Sequence, residues 1–188
     1  MATHPPPATI DDLHRVEGRA ELIAGRILRL PMFGALPARA VARLALSLDR
    51  HCERTGRGEM LTSTVAYAVS PLRSGRRSFC AAVCFRDGPP PTDPMGFRDG
   101  PPTFAVEVRT LGEFGPAADR AYAAKRSDYF EAGTLVVWDV HPLAQVIRSY
   151  RRDRPASPTA FTLGQIADAE PAIPAWRLEV NSIFPPRP

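Results

Sequence analysis

The chain predicts an α/β domain: a mixed β-sheet flanked by helices, with a β-hairpin near its N-terminal end. Three observations predict it. Strand-like apolar segments recur on either side of two segments with helical spacing. One of those helices lies between TFAVEVR and TLVVWDV, so the chain must cross over and return, and the two strands run parallel. Finally, 188 residues with 44% hydrophobic and 23% charged content suit one domain able to bury a core.

Glu21 to Leu30, ELIAGRILRL, reads as two short strands around Ala24-Gly25. Pro37 opens a helical stretch in which Val41, Leu44, Leu48 and Cys52 share one face, and Gly56 ends it. Met60 to Val69, rich in Thr, Val and Tyr, is expected as one strand, and Ser78 to Phe85 as a second. A Pro/Gly-rich loop over 86–102 leads to a third, Thr103 to Arg109. Pro116 suits the first position of a helix running to Ala132, with Gly133 past its end. Thr134 to Val140 is almost wholly apolar, as a strand covered on both faces would be. Gln145 to Tyr150 pairs beside it. Beyond Arg151 the expectation is loop with strand fragments, and a helical turn over Asn181 to Phe184.

The domain is expected over residues 20–184, with a tail and lead-in over 1–19 and a tail over 185–188. The 21 prolines concentrate at 5–7, from Pro89 to Pro102, and after Pro155, and proline interrupts both ladders and helices. Cys52, Cys80 and Cys84 make an odd count with no disulfide framework; they read as buried structural thiols. No apolar run approaches a membrane span, and MATHPPPATI lacks the pattern of a signal peptide. A cytoplasmic location without membrane contact is therefore expected. Net charge is +4, mildly basic, with arginine spread along the sequence. His14, His51 and His141 are scattered, and Trp138 and Trp176 read as packing residues.

One residue carries unusual information. Lys125 is the sole lysine among 24 basic residues. An ammonium is a compact charge that responds to burial, whereas a guanidinium is a planar fork that stays protonated. Lys125 lies on the second helix in a stripe with Tyr122 and Tyr129, and Asp128 follows it by three. On the preceding strand, Ala105, Glu107 and Arg109 share one face. A glutamate within an apolar strand is costly to desolvate unless it is paired or binds a metal. The plainer alternatives are an ion pair between Glu107 and Arg109, and a solvated lysine on a helix face. If the crossover helix packs back on its strand, Lys125 can project towards Glu107. A carboxylate and an ammonium over one site suit phosphodiester hydrolysis with a hard divalent cation.

At these residues the sequence resembles the Uma-type restriction endonuclease family of the PD-(D/E)XK nuclease superfamily. The markers are AELIAGRILRL, FAVEVRT, AAKRSDYFEAGTLVVWDV and IPAWRLEVNSIF, spread from about Ala20 to Phe184. The resemblance implies a restriction-endonuclease-like core, Mg²⁺ (or Mn²⁺) as cofactor and DNA as partner, and it allows a homodimer. It assigns Glu21 and Glu107 as metal ligands and, with Lys125, as catalytic residues. The position two after Glu107, often lysine in the superfamily, is Arg109, and Lys125 on the helix supplies the amine.

The chain departs from the family at one ligand. A Pro-Asp pair is expected in the second strand, and Ala81 and Ala82 stand there. A methyl group binds no cation. Asp87, Asp93 or Asp99 in the following loop are the substitutes within reach. Three readings follow: an endonuclease impaired at Ala82; a non-catalytic nucleic-acid-binding or regulatory module using Arg76, Arg77, Arg109 and Arg126; or an interaction protein in which Glu107, Arg109 and Lys125 neutralise one another.

Overall fold

The computed structural model describes residues 6–184. Helix α1 (Ile10–His14) precedes the hairpin β1 (Ala20–Ile23) and β2 (Arg26–Arg29), and then the long helix α2 (Ala35–Thr55). Five strands follow: β3 (Glu59–Thr62), β4 (Tyr67–Ala68), β5 (Ser78–Phe79), β6 (Val83–Arg86) and β7 (Arg98–Asp99). Next come β8 (Phe104–Val108), α3 (Pro116–Ala132), β9 (Val136–His141) and β10 (Val146–Arg151). The chain closes with β11 (Arg154–Phe161), β12 (Ile166–Asp168), β13 (Arg177–Glu179) and a 3-10 turn at Val180–Ser182.

The main sheet has six strands in the order β11-β10-β9-β8-β6-β3. Its one parallel pair, β8 with β9, is the pair joined through α3, as the crossover requires. Side chains alternate across β8 and β9 and divide the core in two. Phe104, Val106, Val108, Trp138 and Val140 meet Leu44 and Leu48 of α2, and Trp138 stacks on Trp176 at 5.3 Å. Ala105 and Val137 meet Tyr129 and Phe130 of α3. Glu107 lies in register with Asp139 on that second, α3-covered face.

Local chemistry explains most boundaries. Ala24 (φ 47°) and Gly25 (φ 70°) both take the left-handed conformation that a two-residue hairpin turn needs. Helix α3 starts at Pro116 and ends against Gly133, whose N–H returns to Tyr129 O at 3.1 Å.

Three expectations need correction. The strand expected over Met60 to Val69 breaks at a turn, so β3 joins the main sheet while β4 pairs with β5 and β7 in a small three-stranded sheet. The strand expected over Ser78 to Phe85 likewise switches sheets at a bend around Ala82. Cys80, Ala82 and Cys84 therefore do not share one face: Cys84 packs on the α3 side and Ala82 on the α2 side. The segment after Arg151 forms an eight-residue edge strand despite Pro155 and Pro158, because an edge position can spare a backbone donor. The lead-in contains α1, held by a reciprocal cap between Thr9 and Asp12.

Candidate functional site

Two strands and one helix deliver the acids and the amine to a common point. The β1 hairpin docks beside β5 through Leu22, whose N–H donates to Ser78 Oγ at 2.8 Å and whose carbonyl accepts from Arg77 N–H. That seating carries Glu21 beneath the backbone of Cys80, whose N–H donates to Glu21 Oε1 at 2.9 Å. Glu107 rises from the α3 face of β8. Lys125, one turn before Tyr129 on α3, puts Nζ between them, 2.8 Å from Glu21 Oε1 and 2.7 Å from Glu107 Oε1. Tyr129 donates its hydroxyl to the same Glu107 oxygen at 2.7 Å and stacks on Phe79 at 4.0 Å.

A second cation completes the cluster. Arg76, 6% exposed, donates through Nη1 to Glu21 Oε2 and through Nε to Asp128 Oδ2, the latter at 2.8 Å. Glu21, Glu107 and Asp128 thus share Lys125 and Arg76 in a buried network.

The two glutamates titrate apart. Burial pushes the Glu21 carboxyl up, but Lys125 and Arg76 together outweigh it and hold the group at about 2. Glu107 is raised: burial dominates, Lys125 opposes it, and the neighbouring Glu21 charge adds to it. Glu107 has one cation where Glu21 has two, which accounts for the split. Lys125 is itself disfavoured by burial, yet the two carboxylates hold it protonated above the usual lysine range.

Residues Arg19, Leu30, Phe33, Glu113 and Tyr122 help wall a cleft of about 150 Å³ over this cluster. Glu113, which the sequence did not single out, accepts from Tyr122 OH at 2.9 Å and Thr110 N–H at 2.8 Å. Its only sequence signal was its place in the loop between β8 and α3.

The four arginines expected to face a polyanion have separate fates. Arg76 is inside the cluster. Arg109 is 4% exposed and does not pair with Glu107; it forks onto Asp139 at 2.8 and 2.7 Å and reaches Asp119 at 2.6 Å. Both guanidinium groups are buried and already neutralised. Arg126 stacks on Tyr150 at 3.6 Å beyond the cleft, and Arg77 is exposed on a different face.

Nor do the loop aspartates fill in for Ala82. Asp87 pairs with Arg57 at 2.7 Å, Asp93 accepts from Met95 N–H, Asp99 sits in β7, and none of them lines the cleft. Ala82 is fully buried, and its N–H donates to Val106 O at 2.9 Å.

The donor set does not fit a resident divalent ion. Hard cations take carboxylate and carbonyl oxygens. Here the cleft offers three carboxylates: Glu21 and Glu107 each already hold the Lys125 ammonium at 2.7–2.8 Å, Glu21 holds a guanidinium besides, and Glu113 is turned to the Tyr122 hydroxyl and the Thr110 N–H. The remaining groups aimed at Glu21 are N–H donors. Among the described residues no three His, Cys, Asp or Glu side chains are grouped to hold a metal. None of the helices described there is long and apolar enough to cross a membrane.

No curated protein matches the chain. A solved structure described as a "putative nuclease belonging to DUF820" from Anabaena variabilis ATCC 29413 superposes with a TM-score of 0.73. That superposition covers 95% of this chain and 98% of that one at 14% identity, a likeness of fold. The family model Uma2, described as "Putative restriction endonuclease", matches residues 10–181, and the chain belongs to that family.

Proposed function

We propose that this chain is a DNA-directed endonuclease of the PD-(D/E)XK type whose metal-dependent cleavage is impaired. The observation that carries the reading is the closed charge network. Glu21 and Glu107 converge as a nuclease centre requires, yet Lys125 and Arg76 already neutralise them, and alanine occupies position 82. An ammonium shared by two carboxylates is well placed to offset charge on a phosphate oxygen. With alanine at position 82 and both glutamates already paired to cations, the cluster holds a divalent cation weakly.

The test is plasmid relaxation in Mg²⁺ and in Mn²⁺ by the natural chain and by Glu107→Ala, with a parallel calorimetric Mn²⁺ titration. Expected are cleavage no faster than that of Glu107→Ala and no Mn²⁺ heat at micromolar protein. Cleavage abolished by Glu107→Ala would overturn the impairment and establish a working enzyme. The second reading, a non-catalytic nucleic-acid-binding module, is favoured by the same network, because it leaves the acids neutralised without any added ion.

A further inference from the structure

The face of the sheet opposite the acidic cluster carries a different kind of site. Helix α2 places Arg43, Arg50 and Arg54 along one groove of about 420 Å³, with Trp176 in its wall and Arg177 joining from β13. Arginine spread through the sequence is thereby gathered in space, from segments more than 120 residues apart.

What distinguishes this groove is the state of its charges. The buried arginines of the molecule have carboxylate partners: Arg76 with Glu21 and Asp128, Arg98 with Glu59, Arg109 with Asp139. Among the described residues, Arg43, Arg50 and Arg54 form no ion pair. Arg43 donates to the Ser182 carbonyl at 2.6 Å, and Arg54 contacts Nδ1 of the buried His51 at 3.0 Å. Burial and the Arg54 charge together lower the pKa of that imidazole. Arg177 reaches Glu170 at 3.4 Å, a partly exposed contact. Asp49 and Glu53 belong to the same turns of α2 but do not line the groove. Like charges at positions 50 and 54, one turn apart, repel each other. A fold that tolerates them unpaired holds a positive potential ready for an anion.

We propose that this groove binds the phosphodiester backbone of duplex DNA, separately from the acidic cleft. Arg43 to Arg54 spans eleven residues, about 16 Å of helix. Duplex DNA presents a phosphate every ~3.4 Å of axis on each strand, so a row of three guanidinium groups spans several. Lone phosphate or a mononucleotide would engage one end of the row only. The binding does not depend on whether the cleft cuts.

The experiment is fluorescence anisotropy with a labelled 20-base-pair duplex, in EDTA so that cleavage plays no part, from 50 to 200 mM salt. The variants are Arg43→Gln/Arg50→Gln/Arg54→Gln and a charge-matched control of exposed arginines, Arg26→Gln/Arg152→Gln/Arg154→Gln. Arg50→Gln/Arg54→Gln, both exposed, serves if the triple variant melts early. Three lost phosphate contacts flatten the log–log salt slope by about 2.7 and weaken binding about tenfold or more at low salt. The control keeps most of its affinity. Equal losses in the groove and control variants, no loss in the groove variant, or no binding by the natural chain would each overturn the proposal. Inorganic phosphate competing at low millimolar concentration would point to a single-anion site instead and would also sink it.

Discussion

Lys125→Met tests the electrostatic account of the cluster most sharply. Each Lys125 contact, at 2.7 and 2.8 Å, is worth about 6 kcal/mol by Coulomb's law at an effective dielectric of about 20. Desolvation of the ammonium offsets most of that gross attraction. Removing one partner of a buried pair still costs about 3–5 kcal/mol, because the other charge is left stranded. The structure says which charge is stranded. Glu21 keeps Arg76, whereas Glu107 keeps only the Tyr129 hydroxyl. Glu107 already titrates high because of burial and the Glu21 charge, and losing Lys125 removes the opposing influence. A carboxyl whose folded pKa lies above its unfolded value contributes stability below the unfolded value and loses it as pH rises through the folded one. The variant should therefore be least destabilised near pH 5 and increasingly so towards pH 8. The limiting slope is about 1.4 kcal/mol per pH unit for one proton. Urea denaturation of both proteins at pH 5, 6.5 and 8 reads this directly. Adding Glu107→Gln to Lys125→Met should restore most of the loss at pH 8, a coupling of about 2 kcal/mol or more. A pH-independent loss under 1 kcal/mol would refute the reasoning, since it would mean that water reaches Glu107 freely.

Two further outcomes follow from the same contacts. Lys125 is the sole lysine, its side chain only 14% exposed and held protonated between two carboxylates, so an amine-reactive ester should label the native chain only at its α-amine. Mass spectrometry should find Lys125 modified only after denaturant, and rapid native labelling would contradict the pairing of its amine with Glu21 and Glu107. Asp139→Asn should cost about 2–4 kcal/mol by uncoupling the buried fork to Arg109, whereas Asp119→Asn, whose side chain is 59% exposed, should cost under 1 kcal/mol by thermal denaturation.

Much of this arrangement was legible in the residues, for identifiable reasons. Helix α3 runs from Pro116 to Ala132 as expected because both ends are punctuated by residues with strong backbone requirements. The parallel β8–β9 pair followed from chain connectivity alone. The hairpin turn was readable because Ala24-Gly25 sits between two apolar runs. Strand switching at Ala82 was not, since both halves of Ser78 to Phe85 are apolar and neither declares which sheet it joins. The edge strand β11 was hidden by its prolines, whose cost depends on a neighbour that the sequence does not name. Arginine partners were the least legible. Glu107 and Arg109 share a strand face two residues apart, yet each found an acid or amine from another element, because partner choice in a core is decided by tertiary position.

Charge accounting links Ala82 to Arg76. Glu21, Glu107 and Asp128 against Lys125 and Arg76 leave the cluster one negative charge in surplus, and the raised Glu107 softens even that. An aspartate at position 82 would raise the surplus to two, the charge a divalent ion supplies. Val83 pairs with Val106 on β8, so the residue before it stands beside Glu107, although the Ala82 methyl packs towards α2 across the bend. Ala82→Asp should therefore raise Mn²⁺ affinity if the bend lets the new carboxylate turn towards Glu107. Its melting temperature and a Mn²⁺ titration separate the two cases. A folded Ala82→Asp variant that still gives no Mn²⁺ heat would mean that Arg76, rather than the missing aspartate, keeps a metal out, and Arg76→Gln in that background becomes the variant that should bind.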